Sequence, residues 1–413
     1  MATWHSLTSN SATMKSQNLT AVLFALLHHE PTSRSQLSEL TGLSPTTITN
    51  LITELLDRGV VAEEGAVKAE GRRSVGRPRT ALRLVPEAHY AIGIHIGVGT
   101  VWAAVTDLLA NPLCSFSLSH ALEAPPEDVI RQTAALAERA IAECGVAREK
   151  IVGVGIGASG LVDPHTGVNV FAPNLNWRDV PIQRLVAERF QLPVTVENNV
   201  RTMALGEALF GAGRGVRTMA FIYARIGVGA GFVVDGQIYR GSGAGAGEIG
   251  HMTIIPEGGR PCRCGNTGCL ETLISEPIIL ELAQELASEH PDGILSTLLD
   301  TGEGPVIERV FAAARQGDSA TRAMLDDRAS YLGIALANLV SVFNPELIVL
   351  GGFLSQGFDL LGPVIESTMR ERAFANLGDR VRLQTTSFGQ QAGVVGAATQ
   401  ALNTFFYQHP EAA

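Results

Sequence analysis

Charge is scarce in this chain of 413 residues: 17% are Asp, Glu, Lys or Arg, against 46% hydrophobic residues. That composition excludes a disordered polyelectrolyte and leaves a folded globular protein, long enough for two or three domains. Basic charge is also in deficit, with a formal net charge of −10, so the chain is not one that coats nucleic acid uniformly. No run reads as a transmembrane helix. The first residues, MATWHSLTSNSATMKSQN, lack the basic end and apolar stretch of a secretory signal. The expectation is a cytoplasmic protein with no membrane insertion. Cysteine is sparse, at five residues. Cys114 and Cys144 stand alone, whereas Cys262, Cys264 and Cys269 cluster too tightly for a disulfide framework, which agrees with a cytoplasmic setting. Glycine is what the chain has in quantity, 44 residues, implying many tight turns and close backbone approaches.

The little basic charge present is unevenly placed. Residues 1–86 hold nine Lys/Arg and seven Asp/Glu, a net of +2, so the remainder carries −12. This is the pattern of a small basic reader on a larger acidic body. Leu19, Val22, Leu23, Leu26 and Leu27 recur at helical spacing. Ser33 stands three residues before Gln36, a capping box that starts a second helix with Leu37 and Leu40 inward. Thr41-Gly42-Leu43 makes a turn, Ser44 caps a third helix, and Pro45 suits its first position. Ile48, Leu51, Ile52 and Leu55 give that helix its apolar face. The pattern is a helix-turn-helix whose last helix presents Ser44, Thr46, Thr47, Thr49 and Asn50, small polar side chains able to approach base edges and phosphates. An ordinary helical hairpin with a solvated face is the alternative. Val60-Val61-Ala62 and Leu82-Arg83-Leu84 outline a wing hairpin. Between residues 68 and 83 lie six basic residues and one acid, including Arg77 and Arg79 in Gly-Arg-Pro-Arg. An extended Arg-Pro-Arg segment can follow a narrow minor groove.

From Tyr90 the pattern alternates strands and helices. Ala91 to Gly97 and Val101 to Val105 read as strands joined by a Gly-rich turn. A helix is expected over 127–143, with further strands at Ile151 to Ile156 and Leu347 to Leu350. Within this α/β body His251, Cys262, Cys264 and Cys269 supply one imidazole and three thiolates, a closed four-ligand set of the kind that holds structural Zn2+.

Gly247-Glu248-Ile249-Gly250-His251, the loop Cys262-Arg263-Cys264-Gly265-Asn266-Thr267-Gly268-Cys269-Leu270-Glu271, and Val196-Glu197-Asn198-Asn199 together resemble the signature of the ROK family of repressors and sugar kinases. The N-terminal reader with its Gly-Arg-Pro segment resembles the repressor branch. The resemblance implies an α/β fold: a winged helix-turn-helix with basic linker (1–86), then a two-lobed actin-like, ribonuclease H-like sugar-kinase body. Its first lobe spans 87–200, completed by about 385–405; its second lobe, 201–384, carries the zinc loop and the sugar cleft. It also implies that Asn198, Asn199, Glu248, His251 and Glu271 hold sugar hydroxyls, that Asn174 lines the same cleft, and that one structural zinc braces the loop carrying Glu271.

The resemblance fails selectively. The family's kinases use an aspartate base where this chain has Asn199, and an amide cannot take the proton of an attacking hydroxyl. Their Asp-x-Gly-Gly-Thr at the phosphates reads His95-Ile96-Gly97-Val98-Gly99 here. Their second phosphate loop, Gly-Thr-Gly, reads Arg225-Ile226-Gly227. The expectation is therefore a DNA-binding regulator of sugar uptake or catabolism, not an enzyme, governed by a sugar or sugar-phosphate effector and acting on operator DNA as a homodimer or homotetramer. Two alternatives stand beside it: an active hexose kinase with an accessory reader, and a repressor captured by a sugar-transport protein.

Overall fold

The structure, a computed structural model, describes residues 11–66 and 80–411. Helix α1 (Ser11–His28) buries Leu19, Val22, Leu23 and Leu26 completely, each such side chain contributing about 1.5–3 kcal/mol. Helix α2 (Arg34–Thr41) begins with the reciprocal Ser33–Gln36 capping box and ends at Gly42, whose φ of 71° suits a residue without a Cβ. Helix α3 (Pro45–Asp57) starts at its Ser44 cap with proline in the first turn, and Ile48, Leu51, Ile52 and Leu55 face inward. Strands β1 (Val61–Ala66) and β2 (Thr80–Leu84) pair antiparallel as the wing. The segment expected to enter the minor groove, with Arg77 and Arg79, lies outside the described residues.

The body opens with β3 (Tyr90–Ile96), β4 (Thr100–Asp107), β5 (Pro112–Ser119), α4 (Pro126–Cys144), β6 (Ile151–Ala158), β7 (Leu161–Asp163), β8 (Val168–Ala172), β9 (Trp177–Val180), α5 (Ile182–Phe190) and β10 (Val194–Asn198). It continues with α6 (Asn199–Phe210), β11 (Thr218–Ala224), β12 (Val228–Val234), β13 (Gln237–Tyr239), α7 (Glu271–Ile274), α8 (Glu276–Glu289), α9 (Ile294–Thr301), α10 (Val306–Arg315) and α11 (Ser319–Phe343). It ends with β14 (Leu347–Gly352), α12 (Phe353–Gln356), α13 (Phe358–Arg372), α14 (Leu377–Arg380), β15 (Arg382–Thr385) and α15 (Ala392–Leu402).

Two five-stranded sheets share one plan. The first runs β5-β4-β3-β6-β10 and the second β13-β12-β11-β14-β15. In each, the first three strands pair antiparallel and the last two join in parallel. Helix α6 packs against both sheets, and the division expected at residue 200 falls inside it. Helix α15 lies on α6 and on the first sheet, so residues distant in sequence complete that lobe. The approach demands glycine: a Cβ on Gly155 would stand 1.8 Å from the Ala397 carbonyl oxygen.

The reader is joined to the body by a common core. Leu23, Leu26 and Leu82 belong to the same buried cluster as Leu108, Val395, Leu402, Phe406 and Tyr407. The Tyr407 hydroxyl donates to the Leu108 carbonyl at 2.7 Å, and its ring tilts against Phe24 at 5.6 Å.

Two expectations are corrected. Leu40 of α2 does not face inward with Leu37 but is exposed. Cys114 and Cys144 do not stand alone but form a disulfide with their Cα atoms 6.1 Å apart. Strand β5 is an outer strand of its sheet and α4 packs back across it. That packing brings together two cysteines whose separation of 30 residues carries no signal in sequence.

Candidate functional site: a cleft between the lobes beside a Cys/His cluster

The turns that end the strands of both sheets converge on one cleft. Asn174, Asn198, Asn199, Glu248, His251 and Glu271 all line it, together with His95, Ser159, Gly160, Tyr223, Arg225 and Gly227. The fold brings together every residue singled out for the sugar.

Each is held differently. Asn198 is the N-cap of α6: its Oδ1 accepts from Val200 N and Arg201 N at 2.9 and 3.1 Å, and its Nδ2 donates to the Gly160 carbonyl. One amide hydrogen is left for a ligand. Asn199 Nδ2 donates to Ser159 Oγ at 3.3 Å, and its Oδ1 stays available as an acceptor. Glu271 opens α7 and accepts the Val228 N–H through Oε2 at 3.0 Å, which leaves Oε1 open. A Cβ on Gly227 would meet that same Oε2 at 2.9 Å, so a side chain there would press on the Glu271 carboxylate. Burial raises the Glu248 carboxyl above its ordinary range, the Glu271 charge adds to this, and His251 and Arg201 oppose it.

Where the family's kinases place an acid, His95 is buried and its Nδ1 has no hydrogen-bond partner. Burial, assisted by the Arg225 charge, holds the imidazole down to about 4, so it is neutral at physiological pH. A neutral ring there does not supply the negative charge of a carboxylate.

Behind the cleft lies the cluster. The ligand atoms of His251, Cys262, Cys264 and Cys269 all fall within 4.8 Å of one another. Cys264 Sγ and Cys269 Sγ are 3.8 Å apart, and His251 Nδ1 is 3.6 Å from Cys262 Sγ. A tetrahedral ion bound about 2.3 Å from sulfur and about 2.0–2.1 Å from nitrogen has edges of about 3.8 and 3.6 Å, so the donor set fits such an ion. Burial pushes the Cys269 thiol up to about 12 and raises Cys262, while the Asn266 N–H lowers Cys264. Packed thiols that resist ionisation are what a cation would relieve. Nδ1 of His251 faces the thiols, leaving Nε2 as the nitrogen available to the cleft.

The sequence did not reveal three ties within the body. Arg263 Nη1 donates to Asn174 Oδ1 at 3.1 Å, tying the cysteine loop to the first lobe. Arg225 Nη1 donates to Thr100 Oγ1 at 3.2 Å, a second tie across the cleft. Arg201, 1% exposed, pairs with the fully buried Glu197, which also takes Arg240. The Arg201–Glu197 spacing of four along the chain was visible, but its burial was not.

On the reader, Ser44, Thr46, Thr49 and Asn50 are exposed and Thr47 is half-exposed. Ser44 Oγ takes the Thr47 N–H, and Thr49 Oγ1 donates to the Pro45 carbonyl. Among the described residues, the side chains of Thr46 and Asn50 are uncommitted.

Comparison with known proteins agrees with this architecture. Residues 91–404 match the ROK family, and residues 16–62 match the winged helix-turn-helix DNA-binding domain. The chain belongs to the ROK family. It is 30% identical over 394 residues to the xylose repressor of Bacillus spizizenii, covering 95% of this chain and 96% of that one. A glucokinase of Halalkalibacterium halodurans is 40% identical over 249 residues, covering 60% of this chain and 76% of its own. A solved ROK family transcriptional regulator, a homologue of the E. coli MLC protein, superimposes with a TM-score of 0.79 at 29% identity, covering 96% of this chain and 97% of that chain. The repressor and regulator align through reader and body alike.

Proposed function

We propose that this protein is a sugar-responsive, DNA-binding transcriptional regulator, a repressor of genes for sugar uptake or catabolism, whose body binds its effector without phosphorylating it. The observation that carries this is an asymmetry within one cleft. Carboxylates, amides and an imidazole suited to sugar hydroxyls converge there, yet neutral His95 stands at the acid's position and Asn199 at the base's. A hydroxyl bound there has no carboxylate at that position to take its proton.

Asn174, Asn198, Asn199, Glu248, His251 and Glu271 are assigned to the sugar. His251, Cys262, Cys264 and Cys269 are assigned to one structural zinc, which supplies folding free energy and braces the loop that ends at Glu271. Ser44, Thr46, Thr47, Thr49, Asn50, Arg77 and Arg79 are assigned to operator DNA. Residues 1–86 form the reader with its linker, 87–200 with about 385–405 the first lobe, and 201–384 the second. The protein acts in the cytoplasm as a homodimer or homotetramer, because one short reader per chain touches too few bases for useful specificity.

A coupled assay with ATP and a panel of hexoses, beside a mobility-shift titration of operator DNA with the same sugars, tests this reading. The expected result is no turnover and a sugar-dependent change in DNA affinity. Clear turnover overturns it, and a cleft indifferent to every sugar points to capture by a protein partner.

A further inference from the structure

Away from the cleft and the Cys/His cluster, Cys114 on the outer strand β5 and Cys144, the last residue of α4, form a disulfide with a sequence separation of 30 residues. Both are half-buried rather than enclosed. They form part of the wall of a surface cavity that also takes in Tyr90 and Lys150. Reagents in solvent therefore have access to the bond.

The pair fits its surroundings in both oxidation states. Cys114 Sγ stands 3.2 Å from the Ala140 carbonyl oxygen of α4, an acceptor for the thiol hydrogen once the bond is reduced. The other three cysteines are unbonded, although Cys264 Sγ and Cys269 Sγ are only 3.8 Å apart, and they suit a cation only as thiolates. Surroundings that keep those thiols reduced also act on an accessible disulfide, which makes Cys114–Cys144 a reversible bond rather than a permanent staple.

The segment after Cys144 reaches the reader. Helix α4 stops at Gly145, whose φ is 66°, and a short stretch later Lys150 Nζ donates to the Glu87 carbonyl at 3.3 Å. Glu87 belongs to the turn Pro86–Ala88 that joins wing strand β2 to β3. His89 lies against the Lys150 main chain and near the charge of Arg58, the residue that caps the end of α3. Where α4 ends relative to β5 thus bears on the joint between reader and body.

We propose, resting on the reading of the protein as a DNA-binding regulator, that Cys114 and Cys144 are a thiol–disulfide site through which a low-molecular-weight disulfide adjusts DNA affinity. The thiolate of one cysteine attacks a sulfur of the small disulfide, forming a mixed disulfide and releasing one small thiolate. The thiolate of the second cysteine attacks the protein sulfur of that mixed disulfide, closing Cys114–Cys144 and releasing the other. Two protein thiols are oxidised, one small disulfide is reduced to two thiols, and the two cysteine protons pass to the departing thiolates. Closure ties the end of α4 to β5 and fixes the joint, so the disulfide form binds DNA more tightly; reduction loosens the Lys150 hold on Glu87.

The test equilibrates the full-length protein in buffers of graded reduced-to-oxidised glutathione ratio. Alkylation and mass analysis read the state of each cysteine. DNA affinity is measured in the same buffers on a duplex that the disulfide form selects from a random-sequence pool. The pair should pass from dithiol to disulfide across the series, and affinity should rise at least about fivefold with it. Cys114→Ser and Cys144→Ser should hold the weaker affinity in every buffer. A pair that stays a disulfide throughout, or never closes, overturns the inference. So does an affinity that is equal in the two forms or weaker in the disulfide form, or the same dependence in Cys114→Ser; the DNA-binding reading survives each of these. If no duplex is selected, the DNA-binding reading falls and the inference with it.

Discussion

The Arg214 guanidinium donates a 2.7 Å hydrogen bond to the main-chain carbonyl of Leu27, in the last turn of the reader's first helix. Arg214 follows α6, the helix whose other end is capped by Asn198 in the cleft. Helix α6 also packs on α15, whose Val395 and Ala398 share the reader's core. Helix α6 and the turn after it thus connect the proposed effector site to the DNA-binding domain, and a rotation of α6 on ligand binding would be felt at α1. Replacing Arg214 with alanine should leave effector binding intact but reduce the effector's influence on operator affinity. The loss should be roughly 1 kcal/mol out of a coupling of about 1–3 kcal/mol. Operator titrations with and without sugar measure it, and an unchanged response would remove Arg214 from the route.

Glu248→Ala should abolish the effector's influence while leaving operator binding as it was, because Glu248 lines the cleft and lies outside the reader. Glu271→Ala should behave likewise, with some added loss of order where its carboxylate held the Val228 N–H. A normal response from Glu248→Ala in the same titration would place the effector elsewhere.

Cys264→Ser should release the bound metal and lower the thermal stability of the body, since a structural zinc contributes folding free energy directly. It should also weaken the sugar response, because the cysteine loop carries Arg263 on Asn174 and leads into Glu271. Elemental analysis should find about one zinc per chain in the unmodified protein and none in the variant. An unmodified protein without zinc refutes the site.

His95 predicts an acid sensitivity. Its imidazole is held at about 4 when folded, against 6.5 for the ordinary group. Between those values the unfolded chain binds a proton that the folded chain does not, so stability is complete above pH 6.5 and falls as the pH is lowered toward 4. The loss attributable to this group is about 3 kcal/mol at most. Denaturant titrations of His95→Asn should show a flatter profile across that window than the unmodified protein. Parallel profiles would deny the effect.

Arg77 and Arg79 are tested on DNA. Replacing both with alanine should weaken operator binding and reduce the slope of log affinity against log salt by up to about 1.8, which is about 0.9 for each phosphate that is no longer neutralised. An unchanged slope would show that neither arginine meets the backbone.

By itself the sequence determined the reader helices and the Cys/His cluster, because their signals are local. A capping box, a proline in a first turn and three cysteines within eight residues act over distances that the chain spacing sets. It also located His95, Asn199 and Arg225 as departures, since a motif shows what is missing from it. The tertiary structure alone decided what those residues meet. Asn198 turned out to spend both amide groups on capping α6 and on Gly160. Cys114 and Cys144 met because α4 packs back across β5. Arg225 reached Thr100 in the other lobe, and Arg214 reached Leu27 across 187 residues. Burial and partnership between distant segments depend on how whole helices and sheets pack, and no local periodicity encodes them.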